Sequence, residues 1–236
     1  MGSRETTDPR PIAPQEARAI ARAVALCELT FGLSHALNNA FTAIVGEASY
    51  LQGEPKEGSQ VDEACSVILE QVERCAQMTR ALLVRRPPLR SARAECDLVR
   101  VVRDTEGLLR DALSRRIVLR LETPEEPLVL PIDPADAETL LFLLVQRAAR
   151  AGTGPLRIVV RAEPGDAPDE ARLDVFARPE SVGPDGGWRA PKDDACEGPA
   201  ESVIRSLTSA LGVRCCEREA PGEVGTCVRL PRVVEA

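Results

Sequence analysis

The chain has 236 residues, of which 44% are hydrophobic and 28% are charged, and its formal net charge is −7. This length allows one or two domains and favours two. The negative charge argues against nucleic-acid binding, which needs clustered Lys and Arg, and an aromatic content of 3% argues against a stacking surface for single strands. No apolar run approaches the roughly 20 residues of a membrane span, and residues 1–14 lack the apolar segment of a signal peptide, so we expect a cytoplasmic protein without a membrane partner.

The cysteines do not predict a metal site. The sequence holds eight Cys and one His, and no two cysteines form a C-x-x-C pair, so neither zinc nor another metal is expected. Most of the cysteines are predicted to be reduced thiols that act as small hydrophobic residues. The adjacent Cys215 and Cys216 are a candidate for redox chemistry, although nothing nearby in the sequence marks them as reactive.

The first part of the chain predicts a helical hairpin. Residues 1–14 contain three prolines among polar residues and are predicted to be a disordered leader. Helices are expected over 14–51 and 59–86, with a turn between them and with Pro87 and Pro88 ending the second helix. Apolar residues repeat at heptad spacing in the second helix (Val61, Cys65, Ile68, Val72, Cys75 and Leu82) and less regularly in the first (Leu26, Leu33, Leu37, Ile44 and Leu51). A second copy of the hairpin would cover both seams in a four-helix bundle.

The second part predicts alternating helices and strands. Helices are expected over 97–113, 134–151 and 200–211, and strands over 117–121, 128–132, 156–162, 173–177, 213–217 and 226–230. Residues 178–200, rich in Pro and Gly, are predicted to be irregular. The predicted fold class is therefore α+β, with an N-terminal hairpin in a dimeric bundle followed by an α/β two-layer sandwich.

His35 is the candidate functional residue of the first helix. It lies two positions from both Leu33 and Leu37, which at roughly 100° per residue points it away from the apolar seam. Glu28, Phe31, Asn39, Thr42 and Gly46 share its face. Spacing alone leaves a solvated surface residue and an active-site residue as alternatives.

Residues 31–46 read FGLSHALNNAFTAIVG and resemble the H-box of sensor histidine kinases, S-H-E-L-N-N-P-L-T-A-I-x-G. The resemblance implies that His35 is a phosphoryl acceptor. It also implies that Asn39 occupies the place of an amide or hydroxyl that orients water in phosphatase chemistry. Two departures stand out, because Ala36 replaces the acidic general base of autophosphorylation and Ala40 replaces the proline that kinks the helix.

Residues 95–233 resemble the ATP-binding domain of the same kinases in framework. The resemblance rests on residues 96–98 at the entry to a helix, 129–133 before a Leu-rich helix, and 222–231 as a closing hairpin, all in the family's order. It implies a domain division of 1–14, 15–90 and 95–236.

The nucleotide motifs of that domain are missing. Gln146 stands nearest the magnesium-binding Asn of the N-box, Ala177 and Pro179 replace the D-x-G that reads adenine, and residues 198–202 (GPAES) replace the glycine-rich lid. ATP-dependent autophosphorylation is therefore not expected, and no cofactor is predicted.

The expected function is histidine phosphotransfer with a response-regulator receiver domain, which brings its own Mg²⁺. His35 and Asn39 are the predicted catalytic residues, and Phe31, Asn38 and Thr42 are predicted to meet the receiver. A hybrid histidine kinase is a further candidate partner, and a homodimer is expected. Two alternatives stay open: a pseudokinase scaffold without chemistry, and a phosphatase that acts through Asn39.

Overall fold

A computed structural model of the chain describes residues 12–52, 58–84, 95–114, 116–152, 154–179, 199–220 and 223–233. Most of the expected leader, the turn at 53–57, the pair Pro87-Pro88 and residues 180–198 of the expected irregular segment lie outside these ranges. The division of the chain into domains at residues 90 and 95 stays a prediction.

Two long helices open the described chain, α1 (Pro14–Gln52) and α2 (Gly58–Val84), and they pack against each other. Their short connection makes them a hairpin. Three helices and seven strands follow: β1 (Cys96–Asp97), α3 (Leu98–Ala112), β2 (Ile117–Glu122), β3 (Val129–Leu130), α4 (Pro134–Ala149), β4 (Leu156–Pro164), β5 (Glu170–Pro179), α5 (Pro199–Leu211), β6 (Arg214–Ala220) and β7 (Glu223–Pro231).

The main sheet has the strand order β2-β4-β5-β7-β6. β2 runs parallel to β4 and the other neighbours are antiparallel, so the sheet is mixed. β1 and β3 form a separate antiparallel pair. The predicted α+β class is confirmed, and the dimeric four-helix bundle stays a prediction.

Local chemistry sets the helix starts beside this sheet. The Asp97 carboxylate accepts hydrogen bonds from the backbone N–H groups of Val99, in the first turn of α3, and Leu128, which ties α3 to the strand before α4. Asp133 caps α4 in the same way, with Pro134 in the first turn. Gly212, with φ of 68°, ends α5 in a conformation that favours glycine.

α4 lies at the centre of the core. Its side chains from Leu140 to Val145 are at most 1% exposed, which an amphipathic helix facing a single layer does not achieve. The sheet covers one side of α4, and the first half of α1 covers another. The expected two-layer sandwich therefore carries a third layer, contributed by the hairpin.

The face of α1 that makes this contact coincides only in part with the predicted seam, since Leu33 and Leu37 of the seam pack on the core but Leu26 does not. Leu26 is 48% exposed, whereas buried residues step by four along the helix: Ala17, Ala21, Ala25, Leu29 and Leu33. A row of small side chains lets α1 approach the neighbouring helices closely, so packing on the C-terminal domain takes precedence over the leucine spacing. Among the α2 residues whose side chains the structure describes, Ala64 is buried, while Val61 and Val72 of the predicted seam are exposed.

An ion-pair cluster fixes the same contact. The Asp136 side chain, at the start of α4, is 1% exposed, and its Oδ1 accepts a hydrogen bond of 2.7 Å from Arg22 Nη2. Arg18 Nε lies 3.4 Å from the other carboxylate oxygen. Arg18 and Arg22 are one helical turn apart on α1, so both reach the same buried carboxylate.

α1 meets the length and hydropathy criterion for a membrane span, which was not expected from the sequence. By length and composition it is able to cross a membrane, with a mean hydropathy of 1.3 over 18 residues. This is weak evidence for a span, because helices of soluble proteins pass the same test, and α1 carries His35, Asn38 and Asn39 near its middle. The cytoplasmic location stays a prediction.

Gly32 is predicted to be a packing requirement. A Cβ at this position would lie 2.5 Å from the Ala112 carbonyl oxygen at the end of α3, so Gly32→Ala should lower the free energy of unfolding by about 1–3 kcal/mol. Gly46, on the same helix, has nothing within 4 Å of its ideal Cβ, and Gly46→Ala should instead stabilise by about 0.5–1 kcal/mol. Urea denaturation measures both, and equal effects of the two substitutions would contradict the close contact.

Asp136 is predicted to hold the hairpin on the C-terminal domain. Asp136→Asn should lower the free energy of unfolding by about 3 kcal/mol, because it leaves two arginines without their buried partner. The control is Asp104→Asn, because the ion pair of Asp104 with Arg100 lies within α3 and is exposed. This substitution should change the free energy of unfolding by no more than about 0.5 kcal/mol. A small effect at Asp136 would show that the apolar contact alone holds α1.

Candidate functional site

His35 lies on the exposed side of α1, beyond the part of the helix that packs on α4. The residue is exposed, while Leu33 two positions earlier is fully buried. The helical period therefore places the imidazole on the solvent-exposed face of α1, where a macromolecule can reach it.

Phe31 is the aromatic neighbour of the imidazole. The two ring centroids are 4.9 Å apart and the rings meet edge to face at 81°. Phe31 is itself 67% exposed, so it narrows the orientations of His35 without covering it. An exposed phenyl ring beside the histidine is also an apolar anchor for a docking surface.

A cavity of about 610 Å³ opens beside His35, between the hairpin and the C-terminal domain. On α1 its wall alternates larger and small side chains (Phe31, Gly32, His35, Ala36, Asn39 and Ala40). The opposite wall belongs to the end of α3, the start of β2 and the end of α4. Both halves of the chain thus build the surroundings of His35.

Of the other predicted site residues, the structure brings Asn39 and Phe31 to this cavity with His35. Asn38 and Thr42 are exposed but are not among the lining residues. The Thr42 hydroxyl donates to the Asn38 carbonyl oxygen at 2.8 Å, a bond within the helix. These two residues therefore lie on the flank of α1 beyond the cavity.

Two ion pairs join the cavity walls, and sequence patterns did not predict them. Arg150, at the end of α4, lies 2.6 Å from the Glu28 carboxylate on α1. Arg74 on α2 donates at 2.9 Å to Asp111 on α3. The partners are far apart in sequence, and the packing of the helical hairpin on the C-terminal domain brings them together.

Gln146 and Arg147 face opposite ways on α4. Gln146, the residue nearest the N-box position, lines the His35 cavity. Arg147 instead points toward the sheet, where its Nη1 donates to the Thr226 hydroxyl at 2.9 Å and its Nε lies 3.2 Å from Glu201. Both side chains of the ion pair are less than a fifth exposed.

The residues in the places of the other nucleotide motifs are engaged in the fold. Ala177 is fully buried in β5, and Glu201 lies in the first turn of α5. Between α4 and α5 the structure therefore has a guanidinium paired with a carboxylate. In the described part of the chain no group of three or more His, Cys, Asp or Glu side chains is placed to hold a metal ion.

No protein-family model matches the chain, and no curated protein matches it. Among solved structures, a bacterial phosphotransferase is 14% identical, with 89% of this chain and 96% of that chain covered and a TM-score of 0.49. A histidine kinase from Burkholderia phymatum STM815 is 18% identical, with 91% and 95% covered and a TM-score of 0.47. Histidine kinase ThkA in complex with response regulator protein TrrA is 18% identical, with 93% and 65% covered and a TM-score of 0.48. Because each TM-score is below 0.5, these similarities carry no conclusion about activity.

Mg·ATP is predicted not to raise the melting temperature of the protein. A ligand that binds only the native state must stabilise it, and the Arg147–Glu201 pair occupies the space between α4 and α5. Differential scanning fluorimetry across an ATP titration, with an active sensor kinase as the positive control, measures the effect. A rise that saturates with nucleotide concentration would contradict the prediction.

Proposed function

We propose that this protein is a histidine phosphotransfer protein, which exchanges a phosphoryl group between His35 and the aspartate of a response-regulator receiver domain without using ATP. The observation that carries the proposal is the exposed imidazole of His35, set in an H-box-like run beside a cavity that both halves of the chain form.

The reaction needs little from this chain beyond an accessible ring nitrogen. The nitrogen attacks the phosphorus of the receiver's aspartyl phosphate, the bond from phosphorus to the aspartyl oxygen breaks, and the carboxylate leaves. The receiver supplies the Mg²⁺ and the acidic pocket. The absence of an acid at position 36 therefore does not prevent this step, although it removes the base of autophosphorylation.

The local shape supports an incoming protein. Gly32, Ala36 and Ala40 line the cavity on the α1 side, and their small side chains leave room beside the imidazole. Phe31 offers an exposed apolar contact, and Asn38 and Thr42 would extend the contact along the helix. The response regulator is accordingly the proposed partner, and a hybrid histidine kinase that carries a receiver domain is a second.

The surroundings of Arg147 support the absence of nucleotide chemistry. A phosphate between α4 and α5 would compete with Glu201 for the guanidinium, and the fold offers Ala177 where an adenine-reading carboxylate is needed. The C-terminal domain is proposed to act as a structural support for His35 rather than as an ATPase.

A homodimer through the hairpin is part of the proposal. The helices expose large apolar side chains away from the C-terminal domain, including Phe41 and Val45 on α1 and Leu69 and Val72 on α2. A second hairpin would cover them in a four-helix bundle. Sedimentation of the full chain as a monomer at micromolar concentration would contradict the proposed homodimer.

A second candidate function is a phosphatase acting on the receiver, and the position of Asn39 favours it. Asn39 shares the cavity with His35 and lies one turn along the same helix. An amide there can orient a water molecule toward an aspartyl phosphate. In this case His35 is a neighbour and not the acceptor.

His35→Gln is predicted to abolish transfer of label from a phosphorylated receiver to this chain while binding to the receiver is retained, because glutamine keeps the polar surface but lacks the nucleophilic nitrogen. Gel assays with a panel of radiolabelled receivers, together with a pull-down, measure the two properties. Ser34→Ala is the matched control, since Ser34 is exposed and its hydroxyl bonds only within the helix, to the Thr30 carbonyl oxygen.

The same assays separate the alternatives. If Asn39→Ala slows the loss of label from the receiver and His35→Gln does not, the phosphatase is favoured over phosphotransfer. If neither substitution changes the label and binding persists, the protein is a scaffold.

A further inference from the structure

Two cysteines face each other across neighbouring strands at one edge of the sheet. In the antiparallel register of β6 and β7, Cys216 lies directly opposite Cys227. Opposed residues in such a ladder have Cα atoms about 4.5–5.5 Å apart, which lies inside the range of roughly 4.4–6.8 Å that a disulfide spans. The backbone therefore brings these two thiols within reach of one bond.

The adjacent Cys215 is placed differently. Successive side chains of a strand point to opposite faces of the sheet, and Cys215 is opposite Val228, a core residue on the helix side. Cys216 and Cys227 share the other face with Asp174 of β5, the register partner of Cys227. The sequence alone singled out the pair Cys215-Cys216, but the fold separates that pair and joins Cys216 to Cys227.

The two facing thiols differ in accessibility. Cys216 is exposed on β6, which is an edge strand, whereas Cys227 is half-buried. Burial first, and then the hydrogen bond and the negative charge of Asp174, raise the pKa of Cys227 to about 12. Cys227 is accordingly a protonated thiol at neutral pH, and Cys216 is the thiol that an external reagent meets first.

We propose that Cys216 and Cys227 are a reversible modification site, which closes to a cross-strand disulfide when the protein meets a low-molecular-weight disulfide such as oxidised glutathione. The Cys216 thiolate attacks one sulfur of the reagent, forms a mixed disulfide and releases one glutathione thiolate. Cys227 then attacks the Cys216 sulfur, the bond between Cys216 and glutathione breaks, and the second glutathione leaves with the proton of Cys227. Two protein thiols are oxidised and one glutathione disulfide is reduced.

The site is distinct from the His35 cavity and does not depend on the proposed phosphotransfer. The disulfide would tie the outermost strand covalently to its neighbour and remove the thiol that Asp174 binds. An exposed disulfide on an edge hairpin is open to thiols, so the reaction is expected to reverse under reducing conditions.

The test uses the reduced full chain, incubated with oxidised glutathione, quenched with iodoacetamide and digested with trypsin without reduction. Cleavage after Arg214, Arg218 and Arg229 puts residues 215–218 and 219–229 on separate peptides. Mass spectrometry is expected to find these two peptides linked, with a loss of two hydrogen atoms, and dithiothreitol is expected to separate them.

Three variants identify the thiols. The linked peptide should persist in Cys215→Ser and disappear in Cys216→Ser and Cys227→Ser. A link that persists in Cys216→Ser, or is lost in Cys215→Ser, would show that Cys215 forms the bond and would overturn the proposal. Wild-type protein that carries only glutathione adducts, with no linked peptide, would also overturn it, and this result needs no variant to fold.

Discussion

The structure depends on the contact between the first half of α1 and the helices of the C-terminal domain. Alanines at every fourth position let α1 lie close to α4 and α5, and Gly32 allows it to pass the end of α3 without a Cβ. The buried carboxylate of Asp136 then requires Arg18 and Arg22 to stay where they are, since a buried charge without a partner is costly. Apolar packing supplies the area of this contact, and the ion pairs fix its register.

This contact decides where His35 is. α1 keeps contact with the core past Leu33, through the partly buried Ala36 and Leu37. His35 is nevertheless exposed, so its imidazole emerges at the boundary between the hairpin and the sheet domain. The wall opposite it comes from α3, β2 and α4. In the proposed function the C-terminal domain shapes one side of the groove that a receiver would enter.

The sequence predicted the elements well because their signals are local. Heptad and alternating patterns, Pro134 at a helix start and Gly212 at a helix end indicated helices and strands close to those observed. The exposed position of His35 followed from the helical period. The packed face of α1 followed only in part, because leucines are stronger hydrophobic signals than alanines. The demand for small residues comes from helices that are distant in sequence, such as α4, where Asp136 is 114 positions from Arg22.

The cavity was beyond sequence reasoning for a similar reason. Asn39 and His35 are one turn apart on one helix, so their proximity is local, but Arg150–Glu28 and Arg74–Asp111 are tertiary pairs without a pattern. The same holds for Cys216 and Cys227, since their proximity depends on the register of a hairpin, which a shift of one residue would destroy. Adjacency in sequence suggested the wrong partner for Cys216.

The most direct test of whether His35 takes its phosphoryl group from a receiver domain compares two phosphoryl donors for this histidine. The purified chain is incubated in parallel with Mg·ATP alone and with a phosphorylated cognate receiver, and phosphohistidine at position 35 is quantified by mass spectrometry at neutral to alkaline pH. We expect phosphohistidine on His35 from the receiver and none from ATP. Phosphohistidine from ATP alone, or a phosphoryl group that leaves the receiver without ever appearing on His35, would contradict it.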